Sequence, residues 1–358
     1  MAGGTGGHVF PALAVAKQFQ KEGSEVLWLG TKAGLETEIV PKSSIPIRYI
    51  TVTGLRGKSI WTLLLAPFRL FLALYQSICI LREFKPNVVL GMGGFVSGPG
   101  GLAAWLLRIP LVIHEQNAVA GTTNRILSQF AKRVLQAFPN TFSKHVNPIS
   151  IGNPVREEFL SVTPPKERFQ TRNPNEPLRL LIIGGSQGAR ALNELCPKAF
   201  QIMRTEERPN IWHQAGKKEI QTTENLYQQL GVEARVMPFI SDMVDAYVWA
   251  DLVLCRAGAL TVSEVAAVGL GSILVPFPFA IDNHQMVNGR FLADSKAAIL
   301  ISQSDLSPPK LADIILELSR ERIRLLNMAE AARKLATLDA VTQVIVSCKE
   351  VSCGPKNT

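Results

Sequence analysis

Three glycine-rich segments carry the residue types that bind phosphate groups in many proteins. They are residues 3–8 (GGTGGH), residues 91–98 (GMGGFVSG) and residues 184–189 (GGSQGA). Glycine allows a tight turn and lets successive backbone N–H groups approach an anion without a Cβ in the way. A helix that begins directly afterwards adds its dipole and its unpaired N–H groups. Three such segments in two halves of the chain predict two nucleotide-binding folds, although for any one segment a simple turn is an equal alternative.

The spacing of the glycines disfavours an oxidoreductase that uses NAD or FAD. The dinucleotide fingerprint is G-x-G-x-x-G. In the first two segments its third glycine would fall on Val9 and Val96, and residues 184–189 lack the first glycine pair. An oxidoreductase with NAD bound at residues 184–189 is therefore disfavoured but is kept as a rival interpretation. An absence of cofactor fluorescence would exclude it.

A further pattern suited to ligand binding is residues 256–269 (RAGALTVSEVAAVG), which follow a predicted strand. Gly258 makes the turn, Thr261 or Ser263 lies at the start of the next helix, and Glu264 lies in its following turn. A carboxylate in this position can accept hydrogen bonds from both hydroxyls of a ribose. Complementing the helix dipole is an equally good explanation of Glu264.

The length and charge of the chain narrow the classes of partner. Its 358 residues suit two domains, and 38 basic against 29 acidic residues give a net charge of +9. That excess favours an anionic partner: a phosphorylated substrate, an anionic bilayer or nucleic acid. Nucleic acid ranks last because the sequence has no zinc finger, RRM core or dense basic tract. Five cysteines without metal-ligand spacing favour a reducing cytosol, and the N-terminus lacks the pattern of a secretion signal.

The elements that must position these residues alternate between strands and helices, which predicts an α/β fold with parallel sheets. In the first half the predicted strands are 25–29, 47–53, 87–91 and 110–114, and the predicted helices are 11–22, 60–82, 100–107 and 121–128. A loop predicted at 163–177 indicates that a domain boundary is near, and strands are predicted after it at 178–183, 211–214, 234–237, 252–255, 272–276 and 298–301. The main helices of this half are predicted at 189–203, 311–336 and 340–351.

A strand is also expected before the first glycine segment. Phosphate-binding loops of this kind follow a β-strand in βα units, but only Met1 and Ala2 precede residues 3–8. Two explanations fit: the native chain begins upstream of Met1, which we favour, or the first sheet lacks a central strand.

The apolar stretch at residues 60–75 (IWTLLLAPFRLFLALY) has the length and hydropathy of a membrane span. Arg69 near its centre costs roughly 2.5–3.5 kcal/mol on insertion scales, which the surrounding apolar side chains could offset. A spanning helix would, however, separate the strands predicted at 47–53 and 87–91, which are expected to share a sheet. We therefore interpret residues 60–82 as a crossover helix whose inner face packs on the sheet and whose outer face lies in a membrane interface. A wholly buried helix is the alternative.

Six motifs occur in an order that resembles one glycosyltransferase family. They are GGTGGHVFP at 3–11, HEQN at 114–117, GNPVR at 152–156, GGSQGA at 184–189, RAGALTVSE at 256–264 and DNHQ at 282–285. With GMGGFVSGPG at 91–100, they are similar over nearly the whole chain to the MurG family of UDP-N-acetylglucosamine transferases, which make lipid II for peptidoglycan. The resemblance implies an α/β GT-B fold, in which two Rossmann-like domains with parallel sheets face a central cleft. It also implies an N-terminal acceptor and membrane-facing domain at 1–155, completed by a helix at 337–358, and a UDP-N-acetylglucosamine-binding domain at 156–336.

The resemblance further implies which residues hold the donor. The backbone of Ile240 is expected to read the uracil edge, Glu264 to hold the ribose hydroxyls, and Arg156 to line the same site. The diphosphate is expected at Ser186 and at the helix start formed by Ala259, Leu260, Thr261, Val262 and Ser263. Gln285 and Asn117 are expected to contact the N-acetylglucosamine hydroxyls, and Thr5, Gly6 and Gly7 to close over the donor and acceptor phosphates. His284 stands where relatives often carry Gln, so it is left out of this set.

The implied reaction is an inverting displacement without a cofactor or a metal ion. Its acceptor is the 4-hydroxyl of N-acetylmuramoyl-pentapeptide on undecaprenyl diphosphate, known as lipid I. The proton of this hydroxyl needs a base, and His8 is the candidate because imidazole titrates near neutrality and general base catalysis contributes roughly 10²–10⁴-fold. A hydrogen bond within the glycine loop is the alternative role of His8. A helix N-terminus can stabilise the leaving UDP, and the sequence has no acidic pair of the metal-binding DxD type in a suitable position.

A polyprenyl acceptor implies work at a membrane surface, so the resemblance implies a peripheral protein at the cytoplasmic face of the bacterial inner membrane. The apolar contacts expected there are Leu64, Phe68, Phe71 and Trp105, and the basic residues expected to meet anionic headgroups are Arg69, Arg82 and Lys85. Other cell-wall synthesis proteins are possible partners that the sequence does not identify. Two rivals stay open: a UDP-sugar transferase acting on another lipid such as diacylglycerol, and a catalytically silent scaffold for the cell-wall machinery.

Overall fold

The computed structural model describes residues 1–52, 66–173, 175–185 and 188–352. The chain divides into two compact units, one made of Met1–Arg156 with Thr337–Thr358 and the other of Glu157–Ala336. All strand pairs among the described residues are parallel. Parallel sheets are covered on both faces, so a strand such as Arg179–Ile183 (RLLII) is an almost continuous apolar run.

The first unit alternates helices and short parallel strands. Its elements are α1 (Gly6–Lys21), β1 (Trp28–Gly30), α2 (Glu36–Ile39), β2 (Ile47–Tyr49), α3 (Ala66–Phe84), β3 (Val89–Gly91), α4 (Ser97–Leu106), β4 (Leu111–Glu115), α5 (Thr122–Leu127), β5 (Arg133–Gln136) and β6 (Ile149–Ser150). Strand β1 pairs with β2, and the other four strands form a second sheet in the order β3-β4-β5-β6.

Met1 and Ala2 lie between these two sheets, at the place where a further strand is expected. The Met1 ammonium donates to the Leu90 carbonyl at 2.8 Å, and the Met1 carbonyl accepts from the Met92 N–H at 2.8 Å. The Ala2 carbonyl accepts from Nε1 of Trp28 at 2.9 Å. These two residues therefore connect β1 to β3 by hydrogen bonds in front of the first glycine segment.

The second unit is a doubly wound fold around a six-stranded sheet. Its elements are α6 (Pro165–Gln170), β7 (Arg179–Ile183), α7 (Arg190–Gln201), β8 (Asn210–Gln214), α8 (Ile220–Gln229), β9 (Arg235–Met237), α9 (Met243–Trp249), β10 (Leu252–Cys255), α10 (Ala259–Val268), β11 (Gly271–Leu274), α11 (His284–Ala293), β12 (Ala298–Leu300), α12 (Pro308–Arg320) and α13 (Arg322–Lys334). The strand order is β12-β11-β10-β7-β8-β9. The chain therefore starts in the middle of the sheet at β7, extends it on one side with β8 and β9, and returns to add β10 beside β7. Such a reversal of strand order creates the crevice in which doubly wound folds bind their ligands.

The helix predicted as one element at 311–336 is in fact two helices, α12 and α13. Glu321 between them has a non-helical backbone (φ −104°, ψ 63°). Helix α12 packs on α7, whereas α13 packs on α6, α10 and β11, so the chain must change direction. The sequence predicts a single helix because the spacing of the buried residues continues in step across the break.

A last helix, α14 (Ala340–Ser352), completes the first unit by packing on α1. Its buried residues Val344, Ile345 and Cys348 join a core cluster with Val15 of α1 and Leu135 of β5. Each Å² of apolar surface removed from water contributes roughly 25 cal/mol of stabilisation, so these buried side chains stabilise the packing of α14 on the first unit.

Candidate functional site

Two glycine segments of the first unit pack directly on one another. Gly93 and Gly94 have φ values of +89° and +81°, which disfavour residues with a side chain. A Cβ on Gly93 would lie 2.6 Å from Nδ1 of His8, and a Cβ on Gly94 would collide with the Gly3 carbonyl. Glycine at these two positions therefore lets the 3–8 loop and the His8 ring rest on the loop that follows β3.

A buried carboxylate, Glu36, holds the first glycine loop in place. Its Oε2 accepts from the N–H of Gly4 at 3.0 Å, and its Oε1 accepts from the N–H and Oγ1 of Thr31 at 2.9 and 2.8 Å. Glu36 is fully buried, so these hydrogen bonds replace the water that the carboxylate loses. Nothing in local sequence patterns marks Glu36 as a residue that shapes this loop.

Helix α1 begins inside this loop and presents its first turn there. Thr5 is the N-cap with an extended backbone (φ −98°, ψ 162°), and its side chain makes no capping hydrogen bond. Gly6, Gly7 and His8 follow as the first helical residues. The first N–H groups of a helix lack partners within it, and with the helix dipole they favour an anion. Thr5, Gly6 and Gly7 thus lie where a phosphate group can be bound.

The ring of His8 is the start of a hydrogen-bond chain through the HEQN motif. Nδ1 of His8 lies 2.9 Å from Oε1 of Gln116, and Nε2 of Gln116 lies 3.1 Å from Nδ1 of His114. Nε2 of His114 lies 2.9 Å from the Gly152 carbonyl. Gln116 and His114 are fully buried, and burial lowers the pKa of His114 to about 4. His8 is therefore joined to residues far along the chain that sequence reasoning did not include in the site.

Asn117, the last residue of the HEQN motif, is oriented by the buried carboxylate of Glu115. The backbone N–H and Nδ2 of Asn117 donate to Oε1 of Glu115 at 3.0 and 3.2 Å. The other oxygen, Oε2, accepts from the Gly121 N–H at 3.1 Å and from Nδ2 of Asn124 at 2.9 Å. The loop after β4 is thus held in shape around Asn117, which stays half-buried.

In the second unit the carboxyl ends of the central strands are in register. Ile183 at the end of β7 pairs with Gln214 at the end of β8 and with Cys255 at the end of β10. The loops that follow these strands therefore leave the sheet at the same edge. At that edge lie Gly184 and Gly185 of the third glycine segment, after β7, and the start of α10, after β10. This is the position at which doubly wound folds bind nucleotides.

The start of α10 divides its five predicted phosphate contacts into two groups. Gly258 is the N-cap, and the N–H groups of Ala259, Leu260 and Thr261 belong to the first turn, where backbone donors lack partners within the helix. Val262 is different, because its side chain is buried and its N–H donates to the Gly258 carbonyl at 2.9 Å. Oγ of Ser263 donates to the Ala259 carbonyl at 3.0 Å. Ala259, Leu260 and Thr261 therefore supply the donors that suit an anion.

Glu264 lies one turn further along α10, with its carboxylate half-buried. The hydroxyl of Tyr247, on α9, donates to its Oε2 at 3.3 Å. A carboxylate oriented in this way can accept hydrogen bonds from the hydroxyls of a sugar. Tyr247 was missed by sequence reasoning because nothing links α9 to α10 before the fold is known.

Gln214 bridges two loops of the same edge. Its Oε1 accepts from the Ile240 N–H at 3.0 Å, and its Nε2 donates to the Gly185 carbonyl at 3.0 Å. Because the Ile240 N–H is engaged in this way, the backbone group of Ile240 that suits a base edge is its carbonyl. Gln214 was not among the predicted site residues.

The loop after β11 is fastened by Gln285 and Arg256. Oε1 of Gln285, the second residue of α11, accepts from the Phe277 N–H at 2.8 Å. Arg256 donates to the Val275 carbonyl at 3.1 Å and to Oε1 of Gln303 at 2.7 Å. Partial burial lowers the pKa of Arg256. Gln285 thus lies at the carboxyl end of the sheet with its amide nitrogen as the group left to donate.

Two residues predicted to bind the sugar-nucleotide donor, Ser186 and Arg156, are not among the groups described above. Ser186 lies outside the described residues. Arg156 is half-buried and is the last residue of the first unit's long segment. Within the described ranges, no group of three or more His, Cys, Asp or Glu side chains is placed to hold a metal ion.

Helix α3 presents aromatic side chains to solvent. Phe68 and Phe71 are 68% and 69% exposed, and Trp105 on the neighbouring α4 is 47% exposed. The buried face of α3 consists of small or aliphatic residues such as Ala73 and Leu81, and it packs on α4. A wholly buried helix is therefore wrong for the described part of this segment.

Basic side chains accompany these aromatic residues. Arg69, Arg82 and Lys85 are all exposed on or directly after α3, and Leu64 lies outside the described residues. None of the helices in the part of the chain that the structure describes combines the length and hydropathy needed to cross a bilayer.

Comparison with known proteins places these features in a family. The chain matches the N-terminal domain of glycosyltransferase family 28 over residues 1–136 and its C-terminal domain over residues 179–344. A relative from Ectopseudomonas mendocina, named UDP-N-acetylglucosamine–N-acetylmuramyl-(pentapeptide) pyrophosphoryl-undecaprenol N-acetylglucosamine transferase, is 53% identical over 354 residues, 99% of this chain and 98% of the relative. A protein of the same name from Nitrosococcus oceani is 51% identical over 354 residues with the same coverage. The crystal structure of Acinetobacter baumannii MurG matches with a TM-score of 0.83 at 42% identity, covering 98% of each chain.

Proposed function

This chain belongs to the MurG family within glycosyltransferase family 28, and we propose that it transfers N-acetylglucosamine from UDP-N-acetylglucosamine to lipid I in peptidoglycan synthesis. The observation that carries this proposal is the doubly wound sheet of the second unit, where Gly184 and Gly185 after β7 and the start of α10 after β10 leave the same edge at the switch point between β7 and β10. The family relationship supplies the identity of the two substrates.

The second unit is the proposed donor site. The uracil N3–H donates to the Ile240 carbonyl, and the ribose hydroxyls donate to Glu264. The diphosphate lies against the first turn of α10, at Ala259, Leu260 and Thr261, with Ser186 as a further contact. A helix N-terminus stabilises the negative charge that develops on the leaving UDP, since its donors are already oriented. Gln285 and Arg156 are proposed to contact the sugar and the diphosphate.

The first unit is the proposed acceptor site. The phosphate of lipid I lies against the first turn of α1, at Thr5, Gly6 and Gly7, and Asn117 contacts an N-acetylglucosamine hydroxyl. His8 removes the proton from the 4-hydroxyl of N-acetylmuramic acid while that oxygen attacks C1 of N-acetylglucosamine. The bond between C1 and the phosphate oxygen breaks at the same time, so the anomeric configuration inverts and UDP leaves. His8 is the third residue of α1 and directly follows Gly6 and Gly7, whose N–H groups are proposed to bind the phosphate.

The exposed face of α3 and α4 is the proposed membrane contact. Phe68, Phe71 and Trp105 would enter the acyl boundary of the bilayer, and Arg69, Arg82 and Lys85 would meet anionic headgroups. Each basic residue near an anionic surface contributes about 1 kcal/mol. A peripheral position on the cytoplasmic face of the inner membrane brings the enzyme to its lipid acceptor, and through peptidoglycan it serves cell shape and division.

Transfer assays with two acceptors test the proposed function. The purified protein is incubated with radiolabelled UDP-N-acetylglucosamine and either lipid I or diacylglycerol in detergent, and the labelled lipid is identified by mass spectrometry. We expect a disaccharide-linked polyprenyl diphosphate from lipid I and no labelled diacylglycerol. Sugar transfer to diacylglycerol alone would favour the other lipid-acceptor class, and no transfer to either would favour the scaffold.

The His8→Ala variant shows whether the transfer uses the proposed base. We expect kcat to fall by roughly 10²–10⁴-fold with the donor KM nearly unchanged. The matched control is His145→Ala, which removes an exposed histidine of the same unit and should leave kcat as in the wild type. A loss confined to the KM for lipid I would make His8 a binding residue.

A further inference from the structure

The hydrogen-bond chain from His8 to Gly152 admits one arrangement of protons when both histidines are neutral. A carbonyl oxygen only accepts, so Nε2 of His114, 2.9 Å from the Gly152 carbonyl, carries a hydrogen. In a neutral ring the other nitrogen, Nδ1, must then accept, and it accepts from Nε2 of Gln116 at 3.1 Å. Oε1 of Gln116 is thereby turned to His8, 2.9 Å away, and accepts from a protonated Nδ1.

The reverse orientation of the Gln116 amide is disfavoured by charge. It would place Oε1 against Nδ1 of His114, which would then need a hydrogen on both ring nitrogens and a positive charge. His114 is fully buried, and burial lowers its pKa to about 4, so the charged ring is unstable there at neutral pH. The second contact of Gln116 Nε2, with the His114 carbonyl at 3.4 Å, also requires nitrogen on this side.

We infer that Gln116 and His114 are positioning residues, which hold His8 with a hydrogen on Nδ1 and an unprotonated Nε2. The catalytic meaning of this inference rests on the proposed function, in which His8 takes a proton from the acceptor hydroxyl. Only a nitrogen without a hydrogen can accept that proton, so these hydrogen bonds leave Nε2 of His8 able to act as the base. A wrong tautomer of a catalytic histidine is known to be costly, as the serine protease triad shows.

The surroundings keep this arrangement rigid. Both positioning residues are fully buried, and the Gln116 backbone carbonyl accepts from Nδ2 of Asn153 at 3.0 Å. Gly93 packs closely on the His8 ring, since a Cβ there would lie 2.6 Å from its Nδ1 and 3.4 Å from Oε1 of Gln116. Glu115, next to His114 in sequence, uses both oxygens for the loop around Asn117 and Asn124. Burial has the larger effect on the pKa of His114 and keeps it low, although the charge of Glu115 raises it.

Nitrogen NMR of the imidazole rings measures the tautomer directly. The chain has five histidines, so ¹⁵N-histidine labelling with long-range proton correlation gives few signals, and the His8→Ala variant assigns those of His8. In the wild type near pH 8 we expect a protonated Nδ1 and an unprotonated Nε2 for His8. An Nε2-protonated His8, the form that free histidine prefers, would overturn the inference without any variant.

Substitution of the bridge tests its effect on the reaction. Gln116→Met keeps the shape of the side chain and removes the acceptor, so we expect His8 to shift towards the Nε2-protonated form. The kcat should then fall about 10- to 100-fold, a part of the roughly 10²–10⁴-fold that a general base contributes, with the donor KM unchanged. Gln116→Glu retains an acceptor for His8 Nδ1 but places an oxygen against Nδ1 of His114, so we expect it to keep the Nδ1-protonated tautomer of His8 and to lose less kcat than Gln116→Met.

A matched control separates this effect from loss of a buried amide. Gln136 is also buried in the first unit, where its Nε2 donates to Oγ of Ser150 at 2.9 Å and its Oε1 accepts from the Phe142 N–H at 3.1 Å. Gln136→Met loses these two hydrogen bonds, against the three that Gln116→Met loses, but should leave the His8 signals and kcat unchanged. If Gln116→Met and Gln136→Met reduce kcat equally, Gln116 is merely structural and the inference fails.

The second link is tested by a double-mutant cycle. His114→Phe removes the acceptor of Gln116 Nε2, so we expect a smaller loss of kcat and a mixture of His8 tautomers. In the Gln116→Met background the same substitution should have little further effect, because the hydrogen bonds between His114 and His8 are already lost. Additive losses of kcat would contradict the coupling of His114 to His8 through Gln116. If the wild type fails to glycosylate lipid I while His8 shows the expected tautomer, the proposed function fails and the assigned proton arrangement stands.

Discussion

The hydroxyl of Tyr247 donates a hydrogen bond to Oε2 of Glu264 at 3.3 Å. Tyr247 is fully buried on α9, whereas Glu264 is half-buried on the second turn of α10. The phenol therefore limits the rotation of a carboxylate that we propose as the ribose contact. A single carboxylate at this position must be oriented if it is to accept from two neighbouring hydroxyls at once.

Removal of the Glu264 carboxylate should weaken donor binding. Glu264→Ala loses hydrogen bonds to a charged group, which contribute about 1.5–3 kcal/mol, so the donor KM and the Kd for UDP should rise about 10- to 100-fold. Tyr247→Phe should raise the donor KM only a few-fold, because it loosens the carboxylate without removing it. Steady-state kinetics and calorimetry with UDP measure both effects.

The control for Tyr247→Phe is another buried tyrosine of the same unit. Tyr227 is fully buried and its hydroxyl lies 3.0 Å from Nδ1 of His213. Tyr227→Phe should lower stability to a similar extent but leave donor binding unchanged. An unaltered UDP affinity in Glu264→Ala would remove Glu264 from the ribose site.

Contact between the two glycine loops predicts a sharp difference between two Gly→Ala variants. A Cβ on Gly93 would lie 2.6 Å from Nδ1 of His8, and its φ of +89° already strains any other residue. Gly93→Ala should therefore displace the His8 ring and lower kcat at least tenfold, with donor KM unchanged. Gly98 is the control, since the nearest atom to its Cβ is 3.6 Å away and its φ is ordinary.

Expected results for Gly98→Ala are a normal kcat and normal or slightly raised stability, because alanine is the better helix former and Gly98 lies in α4. Thermal unfolding and kinetics on both variants decide the matter. Equal activity of the Gly93 and Gly98 variants would mean that His8 does not need the position it has against the second loop.

Much of the architecture follows from local sequence, and the exceptions have physical reasons. The run at 178–183 predicts β7 because a parallel strand buried on both faces is apolar throughout. Strand β5 was not predicted: it has only four residues and begins with Arg133, so its periodicity is too short to read. The break between α12 and α13 depends on what each helix packs against, which is a property of the whole unit.

The residues of the candidate site likewise fall into those that local sequence predicts and those that depend on the fold. The glycine loops and the start of α10 were predicted because they are continuous segments with recognisable spacing. The hydrogen bond between His8 and Gln116 joins residues 108 positions apart, so no local pattern contains it. The HEQN motif at the end of β4 was the available signal for Gln116 and His114, but it does not say which side chain faces which partner.

Two buried histidines predict that stability falls as the pH is lowered. Burial lowers the pKa of His114 to about 4 and that of His213 to about 3. The native state therefore keeps both rings neutral below pH 6.5, whereas the unfolded chain binds protons there. Since the unfolded state binds more protons in this window, the free energy of unfolding decreases as the pH falls from about 6.5 to about 4, by about 3 kcal/mol for His114 alone.

Urea unfolding at several pH values between neutral and about pH 4 measures this slope. His213→Phe should be less stable than the wild type at neutral pH but should show a shallower pH dependence, because one of the two groups no longer titrates. The exposed His145, replaced by alanine, should leave the slope as it is. A flat stability profile in the wild type across this window would contradict the assignment of two neutral buried rings.

The exposed aromatic face of α3 predicts membrane binding that can be removed without unfolding the protein. Phe68 and Phe71 are 68% and 69% exposed, so replacing both with serine should leave the thermal unfolding midpoint nearly unchanged. Cosedimentation with vesicles that contain anionic lipid should nevertheless fall severalfold, because the lost rings supply the apolar contact. Added salt should also weaken wild-type binding through screening of Arg69, Arg82 and Lys85.

The matched control is a double variant in which Ile202 and Ile323 are replaced with serine. These are two exposed apolar residues of the second unit, so this variant should bind vesicles as the wild type does. Transfer to a short-chain, water-soluble acceptor should survive in both double variants, since neither changes the residues proposed for chemistry. Vesicle binding that is equal in all three proteins would show that this face of α3 does not meet the bilayer.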